Sequence, residues 1–165
     1  PTDARLYQKA RAALAKVAKT CGISLRQSYE RLGKKALLMN SRYLHARQMK
    51  RAKRELKKLR VFLGRVIRDI RRKLTPGTDG KLSRLLAVAQ RIHGQQKHDK
   101  NKIYSVHAPE VECIAKGKAH KRYEFGSKVA MVTSSKDNWI LGIQSLPGNP
   151  YDGHTLESSL ARSCD

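Results

Sequence analysis

The sequence is poor in acidic residues, in aromatic residues and in cysteine, and each scarcity argues against a class of protein. Only 13 Asp and Glu stand against 36 Lys and Arg, for a formal net charge of +23, so we expect a polyanion or an acidic surface as partner. Aromatic residues make up 5% of the chain, which argues against base stacking on an aromatic platform as the main binding mode. Cys21, Cys113 and Cys164 form no CxxC pair, so neither a disulfide framework nor a zinc site is supported.

Long apolar runs and the usual catalytic loops are missing as well. No stretch is long and apolar enough to span a membrane, and no signal peptide is recognisable, so we expect a cytoplasmic protein without a membrane partner. A Gly-rich phosphate loop and a nucleophile elbow are also absent from the sequence. An acidic protein is the alternative target for the positive charge, and an anionic membrane surface is a weaker one, because the long basic helix has a narrow apolar seam without bulky interfacial aromatic residues.

One long basic helix is predicted over residues 42–74, and the rest of the chain is organised around it. Its apolar positions recur at alternating steps of three and four, the pattern of a helix packed on another helix. These seam positions are Met49, Ala52, Leu56, Leu59, Leu63, Val66 and Ile70. The opposite side carries the predicted DNA-binding residues Lys50, Arg51, Arg54, Lys57, Lys58, Arg65, Arg68, Arg71 and Arg72. Most charge runs are solvated faces of mixed sign, but this one repels itself, which favours contact with a polyanion.

Three more helices are predicted before residue 95. Thr2 or Asp3 can cap the first, and Gly22 suits its end. Ser24 followed by Gln27 is a capping-box pattern that predicts the start of the second helix. The predicted boundary with the long helix lies near residues 40–41, and Gly64 is predicted on the solvent side. A turn at 75–80 precedes the fourth helix, which is expected to fold back on the seam.

The apolar pattern then changes from helical to strand-like. Strands are predicted over residues 103–107, 123–133 and 139–143, as an antiparallel meander, and a last helix follows Asp152. We therefore predict an α+β fold: a helical region at 1–94, a linker at 95–101 and a small sheet of about three strands at 102–165. The helical seam or an exposed sheet edge could support self-association.

Candidate chemistry is sparse in both halves. Asp152 is interpreted as a helix cap in preference to a metal ligand. The trio His107, Cys113 and His120 is interpreted as a buried cysteine with loop histidines rather than a metal site. A second basic cluster is equally compatible with phosphate contact and with an exposed turn. Its members are Lys116, Lys118, Lys121 and Arg122.

Long motifs in both halves resemble bacterial insertion-sequence transposases of the DDE class, in particular the group of the insertion-sequence-five elements. In the second half they are KIYSVHAPEVECI at 102–114, GKAHKRYEFGSKV at 117–129 and LPGNPYDGHTL at 146–156. In the first half they are PTDARLY at 1–7, LRQSY at 25–29 and LGRVIRDIRRK at 63–73. The resemblance covers nearly the whole chain.

The resemblance implies a ribonuclease-H-like catalytic domain that cuts and joins DNA with two divalent ions held by three acidic residues. None of those three residues maps to a position in this chain, so it implies no catalytic residue and no metal ligand here, and magnesium is expected only for the complete protein. We therefore expect a truncated DNA-binding fragment of a bacterial transposase, acting at the nucleoid and inactive alone. The alternative is a non-enzymatic structural module that binds nucleic acid.

Overall fold

A computed structural model describes residues 2–74, 80–96, 98–115, 120 and 122–161. The fold is α+β, as the sequence predicts. The chain forms two compact units, a helical unit at Pro1–Pro109 and a strand unit at Glu110–Asp165. The predicted turn at 75–79 lies outside the described residues, as do Lys97, Lys116, Lys118, Lys121 and Cys164.

The helical unit consists of α1 (Asp3–Thr20), α2 (Glu30–His45), α3 (Met49–Lys73) and α4 (Gly80–Gly94). The central helix is α3, which packs against the other three. Its predicted seam is largely confirmed, because Ala52, Leu59, Leu63, Val66 and Ile70 are all buried. At the start of the seam, Met49 is 52% exposed. The seam residues are therefore part of the core of the helical unit, where they pack α3 against its neighbouring helices.

The predicted ends of α1 are confirmed. The Thr2 hydroxyl accepts a hydrogen bond from the Arg5 backbone N–H, 3.5 Å away. After the last turn, Gly22 has φ +72 and its N–H donates to the Lys19 carbonyl, while the Ile23 N–H donates to the Ala18 carbonyl. This pair of bonds is a Schellman motif, which favours glycine at the left-handed position.

The predicted start of α2 is wrong. The helix begins at Glu30, after Tyr29 in the left-handed region, and residues 24–29 are not helical. Tertiary bonds hold this segment in place of a capping box: Arg11 donates to the Ser28 carbonyl and Lys73 to the Ser24 carbonyl. Bonds to distant side chains have therefore outweighed a local helix signal. We call residues 24–29 the α1–α2 loop.

The boundary between α2 and α3 is also shifted. Asn40 lies inside α2, buried, and donates from Nδ2 to the Ala52 carbonyl of α3 at 2.8 Å. The chain turns at residues 46–48, so α3 begins at Met49 and not near residue 42. The prediction for Gly64 is wrong as well: it is buried, because His93 of α4 packs over it.

Residues 103–107 do not form the predicted strand. They pack onto the helical unit, where Ile103 is 1% exposed and Val106 is also buried. The Gln95 side chain holds this segment, since Oε1 accepts from the Ile103 N–H at 3.0 Å and Nε2 donates to the Ile103 carbonyl at 3.2 Å. The side-chain amide of Gln95 therefore makes the two hydrogen bonds to the Ile103 backbone that a neighbouring strand would otherwise make.

The strand unit contains four described strands in two sheets, where one sheet of about three was predicted. The first pair is β1 (Glu112–Ala115) with β2 (Tyr123–Gly126), and the second is β3 (Lys128–Thr133) with β4 (Ile140–Leu146), both antiparallel. The predicted strand at 123–133 is therefore two strands, which belong to different sheets. Residues 134–138 join β3 to β4 as a hairpin, in which the Ser134 N–H donates to the Trp139 carbonyl.

A short helix closes the described part of the strand unit. A single 3-10 turn at Asp152–His154 precedes α5 (Leu156–Ala161). Asp152 is the first residue of that turn, and its backbone carbonyl accepts from the Thr155 N–H. The N-cap position of the turn is held by Tyr151, so the prediction that Asp152 caps the last helix is wrong: Asp152 lies inside a 3-10 turn that precedes α5.

Candidate nucleic-acid interface

The basic side of α3 is an exposed stripe. All nine α3 residues predicted to bind DNA are exposed, and α1, α2 and α4 pack on the other sides of the helix. We call these nine residues the α3 stripe. From Lys50 to Arg72 it spans 22 residues, about 33 Å at about 1.5 Å per residue. That is about one turn of B-DNA.

Few counter-charges lie along the α3 stripe. Lys58 donates to Glu55 at 2.6 Å, and Arg51 donates to Gln48 at 3.0 Å. Within the described ranges, the side chains of Lys50, Arg54, Lys57 and Arg71 make no hydrogen bond or ion pair with the protein. Apart from Lys58, the described members of the stripe therefore form a row of cations without a paired carboxylate, the kind of surface that phosphates neutralise.

Aromatic stacking positions one member of the α3 stripe. The ring of Tyr29 stacks on Phe62 with centroids 4.8 Å apart and 14° between the planes. The Arg65 guanidinium lies 5.8 Å from the centre of the Tyr29 ring and donates to its hydroxyl at 3.2 Å. These two contacts hold Arg65 at the edge of the α1–α2 loop: the ring face of Tyr29 attracts the guanidinium, and the Tyr29 hydroxyl accepts its hydrogen bond.

Beside Arg65, the α1–α2 loop and α3 enclose a polar cleft of about 370 Å³. We call it the arginine cleft. Its walls are Arg26, Gln27, Tyr29, Arg65, Arg68, Asp69 and Arg72. The backbone N–H of Arg26 donates to Asp69 at 2.8 Å, and Lys73 pairs with the same carboxylate at 3.2 Å. These partners hold the pKa of Asp69 below its usual range, first through the Arg26 N–H and then through Lys73.

The other flank of the α3 stripe meets the end of α4. Arg60 donates from Nε to the His93 carbonyl at 3.1 Å. Burial, and then the positive charges of Arg60 and Arg68, lower the pKa of the His93 imidazole. The imidazole is thus kept neutral beside the stripe, as expected for a base that lies among cations.

Sequence reasoning missed three residues of this interface. The capping pattern at Ser24 predicts a helix that includes Arg26, Gln27 and Tyr29, and such a helix gives no reason to expect them at the last turns of α3. The sequence offers only a general rule, that tertiary hydrogen bonds can override a local capping pattern. This rule does not say which distant residues would contact the loop. Of the second basic cluster, Arg122 is exposed just before β2, and Lys116, Lys118 and Lys121 lie outside the described residues.

The described residues do not assemble the donor set that magnesium needs. Among the residues that the structure describes, no group of three His, Cys, Asp or Glu residues comes together to hold a metal ion. Asp152 is 86% exposed and pairs with Lys128 at 2.5 Å, and Glu112 accepts from the Gly148 N–H at 2.8 Å. We therefore assign no metal-dependent step to these residues.

Comparisons with known proteins leave the family of this chain open. No family model matches it, and no solved structure matches it. It is 58% identical over 48 residues to a Rhizobium meliloti protein described as "Uncharacterized protein ORF8 in nfe locus". The match covers 29% of this chain and 23% of that protein. None of the helices that the structure describes has the length and apolar character needed to cross a bilayer.

Proposed function

We propose that this chain is a DNA-binding part of a bacterial insertion-sequence transposase. The observation that carries the binding function is the α3 stripe, an exposed row of cations with few internal counter-charges. The transposase assignment rests on the motifs at 102–114, 117–129 and 146–156. In this proposal the chain acts at the DNA of the bacterial cytoplasm, and strand cleavage with magnesium belongs to a complete protein that carries the acidic residues.

The proposed binding mode is largely independent of base sequence. A row of Lys and Arg contacts phosphates, and phosphate contacts carry little sequence information. Each neutralised phosphate releases counterions, so the logarithm of affinity falls with the logarithm of salt concentration by about 0.9 per contact. Duplex affinity that depends strongly on salt and weakly on sequence is the expected behaviour.

A matched pair of variants tests the proposal. The first replaces Lys57, Lys58, Arg65 and Arg68 with Gln, and the second replaces Arg5, Lys9, Lys16 and Arg42 with Gln. Both remove four charges from exposed helix positions. The stripe variant should flatten the salt slope of duplex binding by up to about 3.6, four contacts at about 0.9 each. Equal slopes in the two variants would refute the role of α3.

A non-enzymatic structural module is the second candidate. The observation that favours it is the continuous core of the helical unit, which extends from Ala4 to Val106. A self-contained core can support binding by itself, without a catalytic domain. Cooperative unfolding of a stable monomer would favour the module, whereas a loosely folded or aggregating chain would favour the transposase fragment.

A further inference from the structure

The arginine cleft collects more positive charge than the fold needs. Four of its seven lining residues are arginines, and the one carboxylate among them is Asp69. Two arginines come from positions that the chain separates widely, Arg26 in the α1–α2 loop and Arg72 near the end of α3. Folding therefore brings like charges together, which is unfavourable unless an anion lies between them.

The carboxylate in the arginine cleft is already engaged. Asp69 accepts from the Arg26 backbone N–H and pairs with Lys73, which is not a lining residue. Arg65 is held by Tyr29. In the described part of the chain, the guanidinium groups of Arg26, Arg68 and Arg72 donate to no protein acceptor. Arg68 Nη1 lies 3.4 Å from the position that a Cβ of Gly64 would occupy, beside His93, so its guanidinium is directed toward α4. Arg26 and Arg72 therefore bring two groups of five N–H donors each to the cleft, where Asp69 is the one lining carboxylate.

The character of the arginine cleft indicates the ligand. Apart from Tyr29, every lining residue is charged or carries an amide, and no aliphatic residue is among them, so the cleft offers a charged ligand more partners than an apolar one. A volume of about 370 Å³ holds a phosphate with part of its sugar. Guanidinium groups recognise phosphate oxygens through paired N–H donors, in geometry that lysine cannot reproduce.

We propose that the arginine cleft binds one phosphate group of a nucleic-acid backbone. Arg26 and Arg72 hold the phosphate oxygens, and Tyr29 is a positioning residue that orients Arg65 at the rim. Such a contact fixes where the duplex lies along the α3 stripe, because the cleft, unlike the stripe, accepts a phosphate at one place only. This inference rests on the proposed DNA-binding function.

Inorganic phosphate is the first probe of the arginine cleft. Thermal unfolding of the full chain is followed in sodium phosphate and in sodium chloride at equal ionic strength. Phosphate should raise the Tm of the wild type and of the Arg42→Gln control, and should raise it much less in Arg26→Gln. The Arg26 variant keeps the backbone N–H that binds Asp69, so its fold is preserved. Equal protection of all three proteins would overturn the proposal.

Duplex DNA is the second probe, and it separates the two sources of phosphate. Arg26→Gln should lower the salt slope of duplex binding by about 0.9, the value for one lost phosphate contact. If the variant and the wild type bind equally at 1 M salt, the variant should therefore bind about fivefold more weakly at 0.15 M salt. Arg42→Gln, about 20 Å from Tyr29 along α2 at about 1.5 Å per residue, should keep the wild-type slope. Arg72→Gln provides a second lining variant with the same expected loss.

The outcomes distinguish this proposal from the proposed function. If the four-residue stripe variant flattens the slope and both Arg26→Gln and Arg72→Gln leave it unchanged, the cleft proposal is overturned and duplex binding stands. If the wild type binds no duplex but phosphate still protects it through Arg26, the nucleic-acid source is overturned. Loss of both phosphate protection and one unit of slope in the lining variants supports the proposal.

Discussion

At the scale of single residues, buried polar groups of the helical unit are joined to other elements. Arg11 is buried in α1, where Nε donates to Gln8 at 3.2 Å and a terminal nitrogen donates to the Ser28 carbonyl at 2.6 Å. Burial lowers the pKa of the Arg11 guanidinium, which still stays charged at neutral pH. Such a group is tolerated because its hydrogen bonds replace water, and it therefore restricts what can pack beside it.

Gly33 of α2 faces this pair, and Gly33→Ala is expected to destabilise the protein. An added Cβ would collide with Gln8 Oε1 and lie 3.1 Å from Arg11 Nε. Overpacking costs about 1–3 kcal/mol, and the gain in helix propensity offsets at most about 1 kcal/mol. We expect a net loss of up to about 2 kcal/mol in the free energy of unfolding, measured by urea denaturation. Gly80→Ala meets no atom within 4 Å and should leave stability unchanged or slightly raised; similar losses in both variants would contradict the packing argument.

His93 should make stability depend on pH near neutrality. Its pKa is lowered in the folded state by burial and then by Arg60 and Arg68, whereas the unfolded imidazole titrates at about 6.5. Between about pH 6.5 and the lower pKa of His93 in the folded state, the unfolded chain binds more protons than the folded chain. The free energy of unfolding therefore falls as the pH falls through this range. Urea denaturation between pH 7.5 and pH 5 should show this slope, and His93→Gln should reduce it. A variant with the wild-type slope would show that other groups cause the dependence.

At the scale of elements, two helices end in the same way with different residues. The Gln48 N–H donates to the Tyr43 carbonyl at 2.8 Å and the Arg47 N–H to the Leu44 carbonyl at 3.1 Å, the Schellman pattern already seen after α1. The left-handed position is Gly22 after α1 and Arg47, with φ 54, after α2. A side chain at that position is strained, since its Cβ approaches the following carbonyl.

Substitutions at these two positions should have opposite effects. Arg47→Gly relieves the left-handed strain and should stabilise the protein by up to about 1 kcal/mol, while Gly22→Ala introduces the strain and should cost about 1 kcal/mol. Both positions lie at helix ends within the helical unit, so one urea denaturation assay compares them. The same sign of change for both variants would refute the shared motif.

At the scale of the whole molecule, the helical unit ends later than sequence patterns predict. Ile103 and Val106 belong to its core, so the stretch after α4 completes the unit. In the strand unit, by contrast, apolar side chains are exposed. Met131 and Ile143 pair across β3 and β4 and are 57% and 63% exposed. That apolar face, with the sheet edges, is the surface we propose for self-association, because the helical seam is already occupied.

Two fragments test where the helical unit ends. A fragment of residues 1–109 should unfold cooperatively, and a fragment of residues 1–101 should be less stable by about 3–6 kcal/mol, since it lacks two buried side chains worth about 1.5–3 kcal/mol each. Urea denaturation followed by helical circular dichroism measures the difference. Equal stabilities would mean that residues 102–109 add nothing to the core.

Helix periodicity alone predicted most of the helical unit. The seam of α3, the buried residues Leu82, Leu86, Ala89 and Ile92 of α4, and the caps at Thr2 and Gly22 all follow from local spacing and from backbone preferences. The exposed α3 stripe follows as well, because an apolar seam on one side of a helix leaves the charges on the other. These features depend on residues close in sequence, so the sequence carries them.

Tertiary structure alone decided the features that join distant residues. The capping pattern at Ser24 yielded to bonds from Arg11 and Lys73, Gly64 was covered by His93, and Ile103 paired with the Gln95 amide instead of with a strand. The arginine cleft arises in the same way, since Arg26 and Arg72 meet only once the α1–α2 loop has packed on α3. Local patterns state what each segment prefers by itself, and a few bonds between distant segments are enough to outweigh that preference.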